Sequence, residues 1–308
     1  MIHTDDLKAG TSERPAVMTI GVFDGVHRGH QHLIGSMVAR AREMAAEAVV
    51  LTFDPHPDLI IRPDRELLLV TSLEERLAQI AVLGVDRTII VPFTNELKEL
   101  GASEFMARIC AAVPLRELWV GWDFALGRRR EGTLERLTAI GREFGYSVHP
   151  VDRYLVEDGE ISSTAVRAAL AGGDVAVTAQ LLGRPFSVTG LVVEGDRRGR
   201  TIGFPTANIA CAPNQILPAN GVYVCTVVRG AVRLPAVTNI GVRPTFDGTR
   251  RMLEAHLLDF SGDLYGETLR LEFHARLRGE QKFDGIAALI AQITRDAATA
   301  RAWFAEKR

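Results

Sequence analysis

The 308-residue sequence predicts two domains of different class: an α/β domain built on a parallel sheet, then an antiparallel β-barrel or sandwich with one long terminal helix. Three observations predict this. The length exceeds what one hydrophobic core usually organises. From Ala16 to about Tyr154, short apolar runs alternate with amphipathic segments, the pattern of successive βα units. After Gly183 helical spacing gives way to Val- and Thr-rich alternation broken by Gly, Pro and Asn, which reads as closely spaced strands. The boundary is placed near residues 182–185, giving domains 1–183 and 184–308.

In the first domain the apolar runs place strands at residues 17–22, 48–53, 87–91, 117–121 and 146–150. Helical spacing falls at 30–46, 73–83, 103–112 and 133–143. Ser72-Leu73-Glu74-Glu75 reads as a capping box, its hydroxyl and the Glu75 carboxylate satisfying free amides at a helix start. In the second domain strands are expected at 186–193, 221–228, 234–239, 252–258 and 269–277, with the terminal helix at 284–304.

Composition narrows the function classes. With 47% hydrophobic and 24% charged residues and a net charge of −2, the chain offers no electrostatic case for nucleic acid or an anionic membrane. Phosphate chemistry must therefore come from local geometry. Cys110, Cys211 and Cys225 form no Cys-x-x-Cys pair, so neither a disulfide framework nor a zinc site is expected. The first residues lack the basic start and apolar stretch of a signal peptide, and no apolar run approaches the ~20 residues of a membrane span. A cytoplasmic protein acting on small molecules is expected, with homo-oligomerisation left open.

The first chemical signal is Gly21-Val22-Phe23-Asp24-Gly25-Val26-His27-Arg28-Gly29-His30, between the first strand and the first helix. Gly21, Gly25 and Gly29 let backbone amides approach an anion, and the helix N-terminus adds free N–H groups and a favourable dipole. His27 and His30 are three apart, so both imidazoles can face one phosphate as hydrogen-bond donors. Further on, Ile161-Ser162-Ser163-Thr164-Ala165-Val166-Arg167 offers hydroxyls at a helix start and an arginine that can hold triphosphate oxygens. Taken alone it reads as a serine cap beside a surface arginine. Two more stretches, Thr52-Phe53-Asp54-Pro55-His56-Pro57 and Val120-Gly121-Trp122-Asp123-Phe124, lie at expected C-terminal strand ends, where open α/β sheets bind ligands. Phe53 and Phe124 also suit the core.

The second signal lies in the β domain. No Gly-x-x-x-x-Gly-Lys-Ser/Thr loop occurs there. Instead, residues 194–208 combine Gly199, Arg200, Gly203 and Pro205 with a hydroxyl–amide pair, Thr206 and Asn208. Two residues apart in extended chain, that pair points to one face and can share one metal–nucleotide complex. A glutamate such as Glu254 in an alternating strand ordinarily faces solvent.

The first run resembles the HIGH-type nucleotidyltransferase motif in the longer form found in bacterial bifunctional riboflavin kinase/FAD synthetases. Ile161–Arg167 is similar to that family's second element, and Gly199–Asn208 to its riboflavin kinase motif. Asn239-Ile240-Gly241-Val242-Arg243-Pro244-Thr245-Phe246 and Leu253-Glu254-Ala255-His256 match too, and the resemblance runs over about residues 14–304. It implies a Rossmann-like nucleotidyltransferase domain and a riboflavin kinase-like barrel. It further implies that the second domain phosphorylates riboflavin to FMN and the first adenylylates FMN to FAD, using ATP and Mg²⁺.

By the same resemblance, His27, His30, Arg167 and Glu254 are catalytic, with Glu254 the general base. Gly21, Phe23, Asp24, Gly25, Gly29, Ser163, Thr164, Gly199, Arg200, Gly203 and Pro205 bind nucleotide. Phe53, Asp54, Pro55, His56, Asp123 and Phe124 bind flavin, and Thr206 and Asn208 serve the metal. Trp122 departs from the pattern, which usually has an acidic residue there. The competing readings are a monofunctional FMN adenylyltransferase, a catalytically silent flavin-binding regulator and a nucleic-acid-modifying enzyme, since HIGH motifs also occur in aminoacyl-tRNA synthetases. Substitution at Thr206, Asn208 or Glu254 would favour the first, and none is substituted; the last would need a Lys-rich second signature, which is not evident.

Overall fold

A computed structural model describes residues 13–156, 159–195, 199, 202–245 and 248–307. It divides into two compact units, one running through Ser163 and the other from Thr164.

The first unit is built on a five-stranded parallel sheet in the order β3-β2-β1-β4-β5, from β1 (Ala16–Ile20), β2 (Glu47–Asp54), β3 (Arg87–Pro92), β4 (Leu115–Gly121) and β5 (Ser147–Val151). Every residue of β1 is buried, as is β2 through Thr52. This is the reason both read as unbroken apolar runs: strands covered on both faces have no solvent side to alternate with. The edge strand β3 alternates again beyond Thr88. Between strands lie α1 (Arg28–Glu43), the short α2 (Pro57–Ile61), α3 (Leu73–Val82), the single turn α4 (Asn95–Lys98), α5 (Ala102–Ala112) and α6 (Leu134–Phe144). α1 buries Ile34, Met37 and Ala41, one stripe at helical spacing. The Ser72 hydroxyl accepts from the Glu75 amide at 3.2 Å, the serine half of the expected capping box. A two-stranded ribbon, β6 (Leu155–Val156) and β7 (Gly159–Glu160), precedes α7 (Ser163–Gly172) and α8 (Val175–Leu182).

The second unit resolves the choice between barrel and sandwich. β8 (Phe186–Val193), β9 (Ala207–Ala210), β10 (Gly221–Arg229), β11 (Val232–Thr245), β12 (Gly248–Leu257) and β13 (Thr268–Arg278) close into one antiparallel barrel in the order β10-β11-β12-β9-β8-β13. Ile209, Tyr223, Cys225, Ala236, Thr238, Ile240, Leu253, Ala255, Leu271 and Phe273 are buried and alternate with residues of the opposite face. α9 (Ile286–Glu306) lies on that opposite face, where Ala297 and Ala300 meet Val222, Val224 and Val237. It is pinned by a buried ion pair: both carboxylate oxygens of Asp296 accept from Arg278, the closest contact being 2.8 Å, and Gln292 donates to Asp296 at 2.8 Å. α8 also packs on this unit, against β8 and β13, and Arg276 donates to the α7 carbonyl of Gly172 at 3.2 Å.

Candidate active sites

In the first unit the strand order turns back between β1 and β4, and the loops leaving their C-terminal ends flank the crevice where open α/β sheets bind ligands. The loop after β1 takes left-handed backbone at Phe23 (φ 55°), Gly25 (φ 81°) and Val26 (φ 40°). For non-glycine residues such a conformation costs about 1–3 kcal/mol and persists only when its surroundings over-determine it. Here Phe23 and Val26 are buried, and Asp24 is a latch. Its carboxylate accepts the Val70 amide at 3.0 Å, the Thr71 amide at 3.1 Å and the Thr71 hydroxyl at 3.3 Å, while the Thr71 hydroxyl accepts from the Gly25 amide at 3.0 Å.

His27 is the N-cap of α1: its Nδ1 accepts the His30 amide at 3.3 Å. Accepting there puts the ring proton on Nε2, which makes His27 a one-sided donor. The His30 ring stacks on it, with centroids 3.6 Å and planes 19° apart. The His30 Nδ1 is buried without a hydrogen-bond partner among the described residues, and burial, helped by the neighbouring His27, holds the ring well below the ordinary imidazole value. Gly29 makes room for this pair, since a Cβ there would lie 3.2 Å from the His27 ring. At Gly21 the ring of Phe23 fills the equivalent space.

The two N-terminal motifs meet. The Ser163 hydroxyl donates to the backbone carbonyl of Asp24 at 2.9 Å. Thr164 and Arg167 follow on α7 and belong to the second unit, the first exposed and the second half-buried. Of the expected flavin residues, Phe53 and Phe124 are half-buried against one core that also takes Phe93, with Phe53 and Phe93 rings edge to face at 5.6 Å. His56 caps α2, its Nδ1 accepting the Asp58 amide at 3.1 Å, and Pro55 and Asp123 are exposed. Trp122 is 41% exposed and carries the Arg153 guanidinium flat over its ring at 3.7 Å. A cation therefore sits where the expected pattern has an anion.

The sequence reading missed Arg76. On α3 it is 4% exposed, and its guanidinium donates to the carbonyls of Val22 and Phe53, each at 3.0 Å, with Asp54 at 3.7 Å. The available signal was position: Arg76 shares the buried face of α3 with Ile80, where an apolar residue is expected.

In the barrel, the ladder assembles the second site. Asn208 on β9 is the direct antiparallel partner of Glu254 on β12, and Glu254 is in turn the partner of Asn239 on β11. Directly opposed residues share a face, so amide, carboxylate and amide form one row. The row lies on the α9 side, because Asn239 also opposes Val222 under that helix. Thr206 stands two residues before Asn208. A Cβ on Gly195 would fall 2.3 Å from the Asn208 amide nitrogen, and one on Gly199 would lie 3.3 Å from the Thr206 hydroxyl. Only glycine lets that segment lie against the pair. Exposed Pro205 offers its carbonyl to the His256 Nδ1–H at 2.9 Å, and Gly203 turns the chain with φ 87°. Arg200 lies outside the described residues.

Thr206, Asn208 and Glu254 present hydroxyl, amide and carboxylate oxygens, a hard donor set that suits Mg²⁺. Among the described residues no cluster of three or more His, Cys, Asp or Glu could hold a metal ion.

The fold and its two sites define a class: a two-domain enzyme joining a nucleotidyltransferase-type parallel sheet to a phosphotransferase-type closed barrel. A family model for FAD synthetase matches residues 10–165, and one for riboflavin kinase matches residues 182–304. The chain is 41% identical to the bifunctional riboflavin kinase/FMN adenylyltransferase of Escherichia coli (strain K12) over 94% of this chain and 92% of that protein. It is 37% identical to the Bacillus subtilis (strain 168) protein of the same name, over 95% and 94%. A crystal structure from Streptococcus pneumoniae, described as a macrolide-efflux protein, superposes over 96% of both chains with a TM-score of 0.87 and 32% identity. No described helix of the present chain is long and apolar enough to cross a membrane. The chain belongs to the bifunctional riboflavin kinase/FMN adenylyltransferase family.

Proposed function

We propose that this chain makes FAD in two ATP-dependent steps, the barrel phosphorylating riboflavin to FMN and the α/β domain adenylylating FMN. The observation that carries the kinase assignment is the Asn208–Glu254 pairing, an amide directly opposite a carboxylate across the ladder. Glu254 accepts the riboflavin 5′-hydroxyl proton as that oxygen attacks the γ-phosphorus of ATP and ADP leaves. Thr206 and Asn208 would hold Mg²⁺, which when bound neutralises phosphate charge.

In the first domain a phosphate oxygen of FMN attacks the α-phosphorus of ATP and pyrophosphate leaves, with no protein nucleophile. Alignment and charge stabilisation do the catalysis. The His27 Nε2–H and the His30 ring donate to the α-phosphoryl oxygens, and the amides of the glycine-rich loop and the α1 N-terminus cradle the phosphates. Ser163, Thr164 and Arg167 hold the triphosphate. The bond from Ser163 to the catalytic loop supports this use of the second motif. On this reading the functional boundary falls at 183/184, so α7 is assigned to the first activity although the chain from Thr164 onward belongs to the second compact unit. The Phe53–His56 and Asp123–Phe124 loops take the flavin. The three free cysteines support a reducing, cytoplasmic setting, and the partners are small molecules.

Incubating purified protein with riboflavin, ATP and Mg²⁺ and separating the flavins by chromatography tests the proposal. FMN followed by FAD is the expected result. Conversion of supplied FMN alone would leave only the adenylyltransferase, and no conversion of either would leave a binding protein.

A further inference from the structure

Arg76 is a charged side chain buried where α3 should present an apolar one, and burial pulls its guanidinium below the ordinary arginine value despite the opposing charges of Asp24 and Asp54. Burial of this kind is costly unless the group is paired and hydrogen-bonded. Among the described residues the Arg76 Nε has no hydrogen-bond partner. What the burial achieves is a bridge between two loops. One Nη donates to Val22, in the loop running from β1 to the stacked histidines, and the other donates to Phe53 and lies near Asp54, at the start of the loop after β2. The Thr52 hydroxyl donates to the same Val22 carbonyl at 3.1 Å, so this carbonyl is the knot between the two strand ends. A lysine ammonium can satisfy these acceptors only as a point donor; the planar fork of arginine holds both at a fixed spacing.

We infer that Arg76 is a positioning residue for FMN adenylylation, fixing the nucleotide loop after β1 relative to the flavin loop after β2. This rests on the adenylyltransferase reading of those loops. Arg76 touches neither substrate; it sets the distance between the groups that do, and a misplacement of about 1 Å in such a geometry costs about 10²-fold in rate.

The test uses the full chain, with riboflavin kinase activity as an internal control for folding. Wild type must first convert FMN to FAD; if it does not, the adenylyltransferase reading fails and not this inference. Given wild-type activity, Arg76→Met is expected to lower kcat/KM for FMN adenylylation by roughly 10²-fold, with a higher KM for FMN and a lower kcat, well below its unfolding temperature. Riboflavin phosphorylation stays unchanged, and Arg76→Lys recovers part of the loss. A purely structural role would lower the unfolding temperature and the active fraction without moving KM. The inference is overturned if Arg76→Met leaves KM and kcat within about twofold of wild type, or if Arg76→Met and Arg76→Lys both fail to fold.

Discussion

Asn208 and Glu254 face each other across the β9–β12 ladder, one an amide 7% exposed and the other a half-buried carboxylate. This pairing motivates the kinase proposal more strongly than either residue does alone. Glu254→Gln keeps the shape and removes the proposed base. Riboflavin phosphorylation is expected to fall by about 10²–10⁴-fold while conversion of supplied FMN to FAD is unchanged, both read from flavin chromatography.

Gly195 tests the same pairing from the other side. In Gly195→Ala the new methyl lands on the Asn208 amide and displaces it. A kinase loss of about 10²-fold is expected, with unchanged FMN adenylylation and an intact β-rich circular dichroism spectrum.

His30→Ala is expected to abolish FAD formation and spare the kinase. The pH dependence has a definite sign. The folded His30 ring titrates well below 6.5, so it is neutral throughout the neutral range. The rate of FMN adenylylation by the free enzyme is therefore expected to be flat through pH 6.5, with its acid limb well below that value, and a limb centred near 6.5 would contradict the assignment.

His274 gives a stability test in the barrel. Its Nε2 lies 2.8 Å from the Thr226 hydroxyl, its ring stacks on Trp303 of α9, and burial lowers its pKa below the ordinary imidazole value. The unfolded chain therefore binds this proton more readily. The stabilisation is whole above pH 6.5 and is lost as pH falls towards the folded pKa. Thermal unfolding followed by tryptophan fluorescence should show a midpoint that falls on acidification below 6.5, less steeply in His274→Phe.

Asp296→Ala leaves the half-buried Arg278 guanidinium without its carboxylate, a loss expected to fall below the roughly 3–5 kcal/mol typical of fully buried pairs. Loosening of α9, a red-shifted Trp303 emission and a lower unfolding midpoint are the expected outcomes, with FMN adenylylation retained at low temperature.

Much of this was legible in the sequence because it is local. β8 occupies 186–193 as read, β3 and β4 end within one residue of expectation, and Ser72 caps α3. β9 is not among the expected strands, because four residues inside a turn-rich motif carry too short an alternation to announce themselves. The motif residues were found, but not their company. That Asp24 latches Val70 and Thr71, that Asn208 opposes Glu254 and that Gly195 lies over Asn208 are relations across 46, 46 and 13 positions of chain, set by register and closure and not by any local pattern. Arg76 was hidden for the opposite reason: its signal was a polar residue in an apolar stripe, and that looks like noise until its two carbonyls are seen.

The alternation along β12 reaches beyond the barrel's packing. Leu253 and Ala255 fill the interior while Glu254 between them, the proposed base, lies on the opposite face. Scaffold and chemistry are thus written on one strand in alternate letters. Removing a single letter between Leu253 and Leu257 would put the two leucines on opposite faces of the strand, so this stretch can exchange residues over evolutionary time but cannot change length. Insertions and deletions should be confined to the connections between strands, and a deletion scan of β12 would find no shortened version that keeps either the barrel or the kinase.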